Sequence, residues 1–167
     1  NPEFLTEANF IEDFKNQNRI IIGGQRPATT KVKQIYAKVL PKTKVIKTGS
    51  THAEMVKYMT NTFLATKVSF ANEMKMICDK IDIDYDKVVE YATYDDRLGK
   101  SHWSVPGPDG KLGFGGSCFP KDLNALIDLC YEKSIKANTL FGAWETNLEV
   151  RPEQDWKELK GRAVTEE

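Results

Sequence analysis

Residues 50–81, STHAEMVKYMTNTFLATKVSFANEMKMICDKI, run for about thirty residues without a glycine or a proline. Nothing else in the chain restricts the fold as strongly. Glycine and proline are the poorest helix formers, so their absence over this span predicts one long α-helix. Ser50 or Thr51 is placed to cap it, with Glu54 three residues after Thr51 as a capping box. The apolar positions, among them Met55, Val56, Met59, Phe63, Leu64, Val68, Phe70, Met74 and Ile77, wrap most of the way round. A helix apolar on several faces packs on several sides, as at a domain core or a dimer interface.

The segments before this helix alternate. LTEANFIEDFKN has apolar residues near helical spacing from Leu5 to Phe14. RIIIGG is a β-branched run closed by glycines, as expected of a buried strand. PATTKVKQIYAKVL starts with Pro27 at a helix's first turn, and KVIKTG is a second short strand. This α-β-α-β order belongs to a parallel sheet covered by helices. Two strands are too few, because parallel sheets are buried on both faces and need more neighbours. Residues 1–49 therefore read as the last part of a larger doubly wound, Rossmann-like domain.

Beyond the long helix, DYDKVVEYATYD reads as a shorter helix capped by Asp84. A long loop follows, RLGKSHWSVPGPDGKLGFGGS, with PGPDG a strong turn signal. FPKDLNALIDLCYEKS and ANTLFGAWETNLEV read as two more helices. The fold class is thus mostly α: residues 50–150 form a helical domain, and 151–167 a polar tail, partly frayed or docked by Trp156.

Composition removes several functions. Lys+Arg and Asp+Glu both number 24, with no basic block suited to nucleic acid. No apolar run reaches a membrane span, which needs about 18 residues. Cys78, Cys118 and Cys130 are odd in number and widely spaced, against a disulfide framework or a zinc site. His52 and His102 have no partner His at ligand spacing, so no metal is expected. These readings suit a reducing cytoplasm.

Chemistry concentrates in GFGGSCFPKDLNAL, Gly113 to Leu126. Pro120 suits the first helical position, which puts Phe119 at the cap and Cys118 just ahead of it. A thiol there faces unpaired backbone N–H groups and the positive helix end, both of which favour thiolate. Lys121 adds positive charge, Asp122 lies within the first turn, and the glycines clear space for a ligand. A helix cap with a buried, inert cysteine explains the same residues, and both readings stand open at this point. Cys78 and Cys130 sit among apolar residues as core. Lys57 and Asn61 are four apart, hence on one helix face, which continues through Leu64 and Val68. A lysine on an apolar face either snorkels to water or is paired for use as an oxyanion stabiliser. Lys67 and Lys75 read as solvent-facing. Arg97, at the start of the loop, and Glu3 and Glu7, flanking FLT, have ordinary explanations as surface and capping residues.

Together these pieces resemble the family of UDP-glucose and GDP-mannose dehydrogenases. The matching stretches are NPEFLTEA, RIIIGG, AEMVKYMTNTFLATKVSFANE, DDRLG, VPGPDGKLGFGGSCFPKD and NLEVRP, in family order. The resemblance implies a four-electron oxidation of a nucleotide sugar's C6 alcohol to a carboxylate with two NAD. It implies Cys118 as the nucleophile that forms a thiohemiacetal and then a thioester. Lys57 would stabilise the oxyanion, Asn61 and Asp122 would hold the catalytic water, and Glu3 would help activate it. Substrate contacts would come from Phe4, Leu5, Glu7, Arg97, Phe114 and Gly115, with the loop from Val105 to Gly115. Lys121 would touch the cofactor. The family pairs its long helix in a homodimer and sends the arginine into the neighbouring subunit's site. The family's GxGxxG turn is absent from this sequence, so the chain is expected to lack most of the NAD site and to be inactive alone. A non-catalytic helical dimerisation module is the competing expectation. A hydroxy-acid dehydrogenase is disfavoured, because simple alcohol oxidation needs no thioester. The identity of the sugar stays open.

Overall fold

In a computed structural model of the chain, which describes residues 1–6, 9–159 and 161, the fold is mostly helical with one small parallel sheet. The chain divides into two compact units, Asn1–Thr60 and Asn61–Glu167. The division falls within the long helix α3 (Ser50–Lys80), which is unbroken as its lack of glycine and proline predicts.

The first unit contains α1 (Phe10–Asn16), β1 (Arg19–Gly23), α2 (Ala28–Val39) and β2 (Lys44–Thr48). The strands pair in parallel, with Ile21 opposite Ile46. Ile20, Ile21 and Ile22 are all buried. Because successive strand side chains point to opposite faces, β1 is covered on both sides, as a parallel strand requires. Helix α1 is shorter than its apolar pattern predicts. Leu5 and Thr6 lie outside it, and Asp13 explains why: its carboxylate accepts the Thr6 hydroxyl at 2.6 Å and the Thr6 N–H at 2.8 Å. Those two bonds tie Thr6 to the first turn of α1, and they hold the Asp13 carboxyl below the usual range. Pro27 sits at the cap of α2, one residue before the helix. At the end of β1, a Cβ on Gly23 would fall 2.7 Å from the Ala53 Cβ and 2.8 Å from the Ser50 Cα. Only glycine permits so close an approach to the first turn of α3. Ser50 is already helical, and the Ala53 N–H bonds to the Gly49 carbonyl at 3.0 Å.

The second unit holds the rest of α3, α4 (Tyr85–Ala92), α5 (Cys118–Glu132) and α6 (Asn138–Val150). Asp84 caps α4 as expected, accepting from the Asp86 and Lys87 N–H groups. One core gathers Ala65, Phe114, Leu123 and Ile127, and a second gathers Ala71, Cys78, Tyr85 and Val105. The Tyr85 hydroxyl donates to the Trp103 carbonyl at 2.7 Å. Burial, helped by the charges of Asp86 and Cys78, pushes its pKa up to about 12, so it remains a donor. Polar groups also join helices: Ser69 Oγ donates to the Ala143 carbonyl at 2.6 Å, and Thr146 Oγ1 to Glu73 at 2.7 Å. Trp156 is buried against Trp144, ring centroids 5.3 Å apart, which docks the described part of the tail.

Two surface features differ in kind. Lys67, expected to face solvent, lies half-buried, donates to the Leu98 and Gly99 carbonyls and sits 4.6 Å from the Trp103 ring centre. It thereby ties the start of the long loop to α3. In contrast, Phe63, Phe70 and Ile77 recur every seven residues along α3 and are all exposed, Phe63 at 66%. Among the described residues no helix is long and apolar enough to cross a membrane.

Candidate active site at the glycine-rich turn

Helix α5 begins at Cys118, with Ser117 as its cap residue. The helix therefore starts two residues earlier than Pro120 predicts, and Pro120 is its third residue. That position tolerates proline because its N–H would be unpaired there in any case. Cys118 is a free, half-buried thiol on the first turn, 3.9 Å from the Ser117 hydroxyl. One turn along, Asp122 is 3% exposed. Asn61, itself buried on α3, donates its amide to Asp122 at 2.6 Å, and Lys121 forms an ion pair with the other carboxylate oxygen. A carboxylate this buried is costly unless charge and hydrogen bonds compensate it, and both are supplied. The expected grouping of Asn61 with Asp122 thus exists as a direct contact. Lys121, expected on the cofactor, is engaged by its neighbour.

Two of the three glycines make room for the protein's own side chains. A Cβ on Gly113 would collide with the Asn147 amide oxygen, and one on Gly115 with the Arg151 guanidinium and Asp155. Their empty side-chain space is filled by the protein's own polar groups, not left for a ligand. Gly116 alone of the three opens onto unfilled space, at φ +67°.

Phe114, expected at the substrate, is 5% exposed and packs in the first core. Its backbone is also engaged: the N–H donates to Asn147 Oδ1 at 2.7 Å, and the carbonyl accepts from Asn147 Nδ2 at 3.0 Å. The Gly113 N–H donates to Asn72 Oδ1 at 3.2 Å. Asn72, Asn147 and Arg151 are 2%, 0% and 2% exposed and form no part of the sequence-level site. For Asn147 and Arg151 the available signal is that NLEVRP places them four apart, on one side of a helix end, whereas Asn72 carries none.

In the first unit, Lys57 is half-buried and donates to the Glu3 carbonyl at 2.6 Å. Phe4 lies beneath two cations, Arg19 at 4.5 Å and Lys57 at 5.6 Å from its ring centre. Leu5 is half-buried beside them in sequence, and Glu7 falls outside the described residues. In the second unit, Arg97 projects with 88% of its side chain exposed, held by a two-pronged bond to Asp95. That bond raises the arginine pKa and lowers that of Asp95. His102 packs its ring 5.9 Å from that of Phe119. Burial, with the charge of Lys67, lowers its pKa and favours the neutral imidazole. Among the described residues no three His, Cys, Asp or Glu side chains are placed to hold a metal.

Comparison with known proteins matches the same segments. Residues 51–149 fit the central-domain model of the UDP-glucose/GDP-mannose dehydrogenase family, and residues 1–40 fit its NAD binding domain. A UDP-glucose 6-dehydrogenase of Rickettsia prowazekii is 36% identical over 154 residues, covering 91% of this chain and 34% of that protein. A Pseudomonas aeruginosa UDP-glucose 6-dehydrogenase is 42% identical over 129 residues, 76% of this chain and 27% of its own. The solved UDP-glucose dehydrogenase of Pyrobaculum islandicum superposes with a TM-score of 0.81 at 34% identity, over 89% of this chain and 33% of that one. The chain spans about a third of the length of these relatives.

Proposed function

The chain belongs to the UDP-glucose/GDP-mannose dehydrogenase family, and from that premise we propose that it carries the acyl-transfer centre of an NAD-dependent nucleotide-sugar 6-dehydrogenase, of the UDP-glucose to UDP-glucuronate type. The observation that carries the proposal is the buried Asn61–Asp122–Lys121 group one helical turn from the Cys118 thiol. A helix cap with an inert cysteine needs no compensated carboxylate at that place, and neither does a dimerisation module.

NAD is the cofactor of the family to whose NAD binding domain residues 1–40 belong, and it supplies the oxidising steps. The two-stranded sheet lacks the GxGxxG turn that seats a pyrophosphate, and Lys121 is engaged by Asp122. The residues at hand do not form a dinucleotide cradle, so the steps assigned to them are those of their own side chains. Cys118 Sγ adds to the C6 aldehyde, forming the C–S bond while the carbonyl oxygen takes up the proton. Where Cys118 carries an acyl group as a thioester, a water held by Asn61 and Asp122 would attack the acyl carbon. The C–S bond breaks, releasing the carboxylate and restoring the thiol. Family resemblance assigns Lys57 to the developing oxyanion and Glu3 to the water's activation. Lys57 lends support, since its ammonium already donates to the Glu3 carbonyl. Phe4, Leu5, Glu7, Arg97 and the backbone of Phe114 and Gly115 are proposed to line the substrate. For Phe114 the supporting fact is a fixed backbone rather than a free side chain. The apolar stripe of α3 and the exposed Arg97 support a homodimer in which that arginine serves the partner's site.

The test is product analysis by mass spectrometry of the full-length protein that carries this chain, given NAD and a panel of nucleotide sugars. UDP-glucose is expected to yield the uronate. Cys118→Ser is expected to lower acid formation by roughly a thousandfold or more; full acid production by that variant would remove Cys118 from the mechanism.

A further inference from the structure

Arg151, just after α6, is a cation with 2% of its side chain exposed, and its partners explain that burial. Nε and Nη2 grip Asp155 at 2.9 and 2.7 Å, Nη2 also donates to Asp109 Oδ2 at 2.8 Å, and Nη1 donates to the Leu112 carbonyl at 3.2 Å. Asp109 and Leu112 lie on the loop from Val105 to Gly115; Asp155 lies in the tail. Asp109 turns its other oxygen to the Lys111 N–H at 3.1 Å, while the Gly107 N–H bonds to the Lys111 carbonyl at 2.8 Å. The arginine therefore grasps a closed turn. The residues that follow are held in succession: Gly113 by Asn72, Phe114 by Asn147, and Gly115 against the guanidinium itself.

We propose that Arg151 is a positioning residue for the substrate-binding segment Val105–Gly115, holding it in its binding shape before substrate arrives; this rests on the reading that the segment contacts a nucleotide sugar. A buried ion pair is a poor way to gain stability, since apolar residues of similar volume do as well or better. What a guanidinium offers is a rigid planar fork that fixes several acceptors in one geometry. Spending it on a carboxylate and a carbonyl of one loop sets that loop's conformation, and a binding loop fixed in advance escapes the affinity lost to ordering.

The test uses the full-length protein with Asp109→Asn, which loosens the latch from the loop side at a carboxylate half exposed to water. Ser69→Ala serves as the control, because it removes a bond between α3 and α6, the helix that leads into Arg151, without touching the loop. Asp109→Asn is expected to speed amide hydrogen exchange across residues 105–116. It should also raise the KM for the nucleotide sugar roughly fivefold, as for a loop in its binding shape about one-fifth of the time, with kcat within about twofold. Ser69→Ala should lower the melting temperature and leave both KM and loop exchange unchanged. Unchanged loop exchange in Asp109→Asn overturns the latch. Faster exchange with an unchanged KM overturns its part in binding, and so does a KM rise of equal size in Ser69→Ala. A wild-type protein inert on every nucleotide sugar refutes the functional reading instead, and the exchange measurement still decides the latch.

Discussion

The loop at residues 105–116 contains no helix or strand, yet its backbone is held at Gly107, Leu112, Gly113 and Phe114 by hydrogen bonds to buried side chains or within its own turn. Helix α3 is thirty-one residues of unbroken regular structure, yet it leaves Phe63, Phe70 and Ile77 exposed. Regularity and completion are thus separate properties. The loop is irregular and finished, because polar side chains satisfy it. The outer face of α3 is regular and unfinished, because a helix settles its own backbone bonds while its apolar side chains still need a neighbour.

The largest expected effect breaks the finished side of this contrast. Asn147→Ala strips both backbone partners from Phe114 at a fully buried site, and about 3 kcal/mol of stability is expected to go, from unsatisfied groups and the space left behind. Urea unfolding of the full-length protein measures it, and a loss under about 1 kcal/mol means that water replaces the amide freely. The next effect sharpens the unfinished side. Phe63→Glu combined with Phe70→Glu should dissociate the proposed homodimer in sedimentation experiments while shifting monomer stability by no more than about 0.5 kcal/mol. A dimer of undiminished affinity would show that the stripe lies outside the interface.

The smallest effect is with pH. Bonds from Arg151 hold the Asp155 carboxyl below its ordinary range. For Asp109, burial pushes upward, but bonds from Arg151 and the Lys111 N–H, with the arginine's charge, prevail and lower it. A carboxyl lowered by folding contributes stability that is present above its unfolded pKa, about 3.9, and is lost as pH falls through the folded value. Amide protection in the loop, corrected for intrinsic rates, should therefore hold at pH 6 and weaken below about 4, whereas protection within α3 should not follow it. The change is modest because both carboxylates are partly exposed and screened. Loop protection that stays flat down to pH 3 would detach the ion pairs from the loop's order.

Much of this fold is legible in the residues. Missing helix breakers mark α3, three isoleucines before a glycine mark β1, and Asp84 marks the start of α4. The Lys57–Asn61 spacing also reads directly, because helical periodicity alone places it, whereas Pro120 marks the start of α5 two residues late and so leaves Cys118 ahead of the helix. What escapes is long-range polar pairing. Asn72 and Asn147 look like ordinary polar residues of an amphipathic helix, since a pattern cannot distinguish water from a distant loop backbone as their partner. Lys67 escapes for the same reason, since its acceptors, the Leu98 and Gly99 carbonyls, lie some thirty residues away. The start of α1 escapes as well, because Thr6 bonds to the Asp13 carboxylate, a local partner that apolar periodicity does not register.

Gly115 and Arg151 occupy one volume, thirty-six positions apart in the chain. Each is therefore the condition for the other. A bare backbone at 115 has meaning only while a long cation fills the space, and a side chain at 115 is admissible only where residue 151 is short. Lengthening one of the two therefore requires shortening the other, and the turn that leads into Cys118 takes its shape from that shared volume.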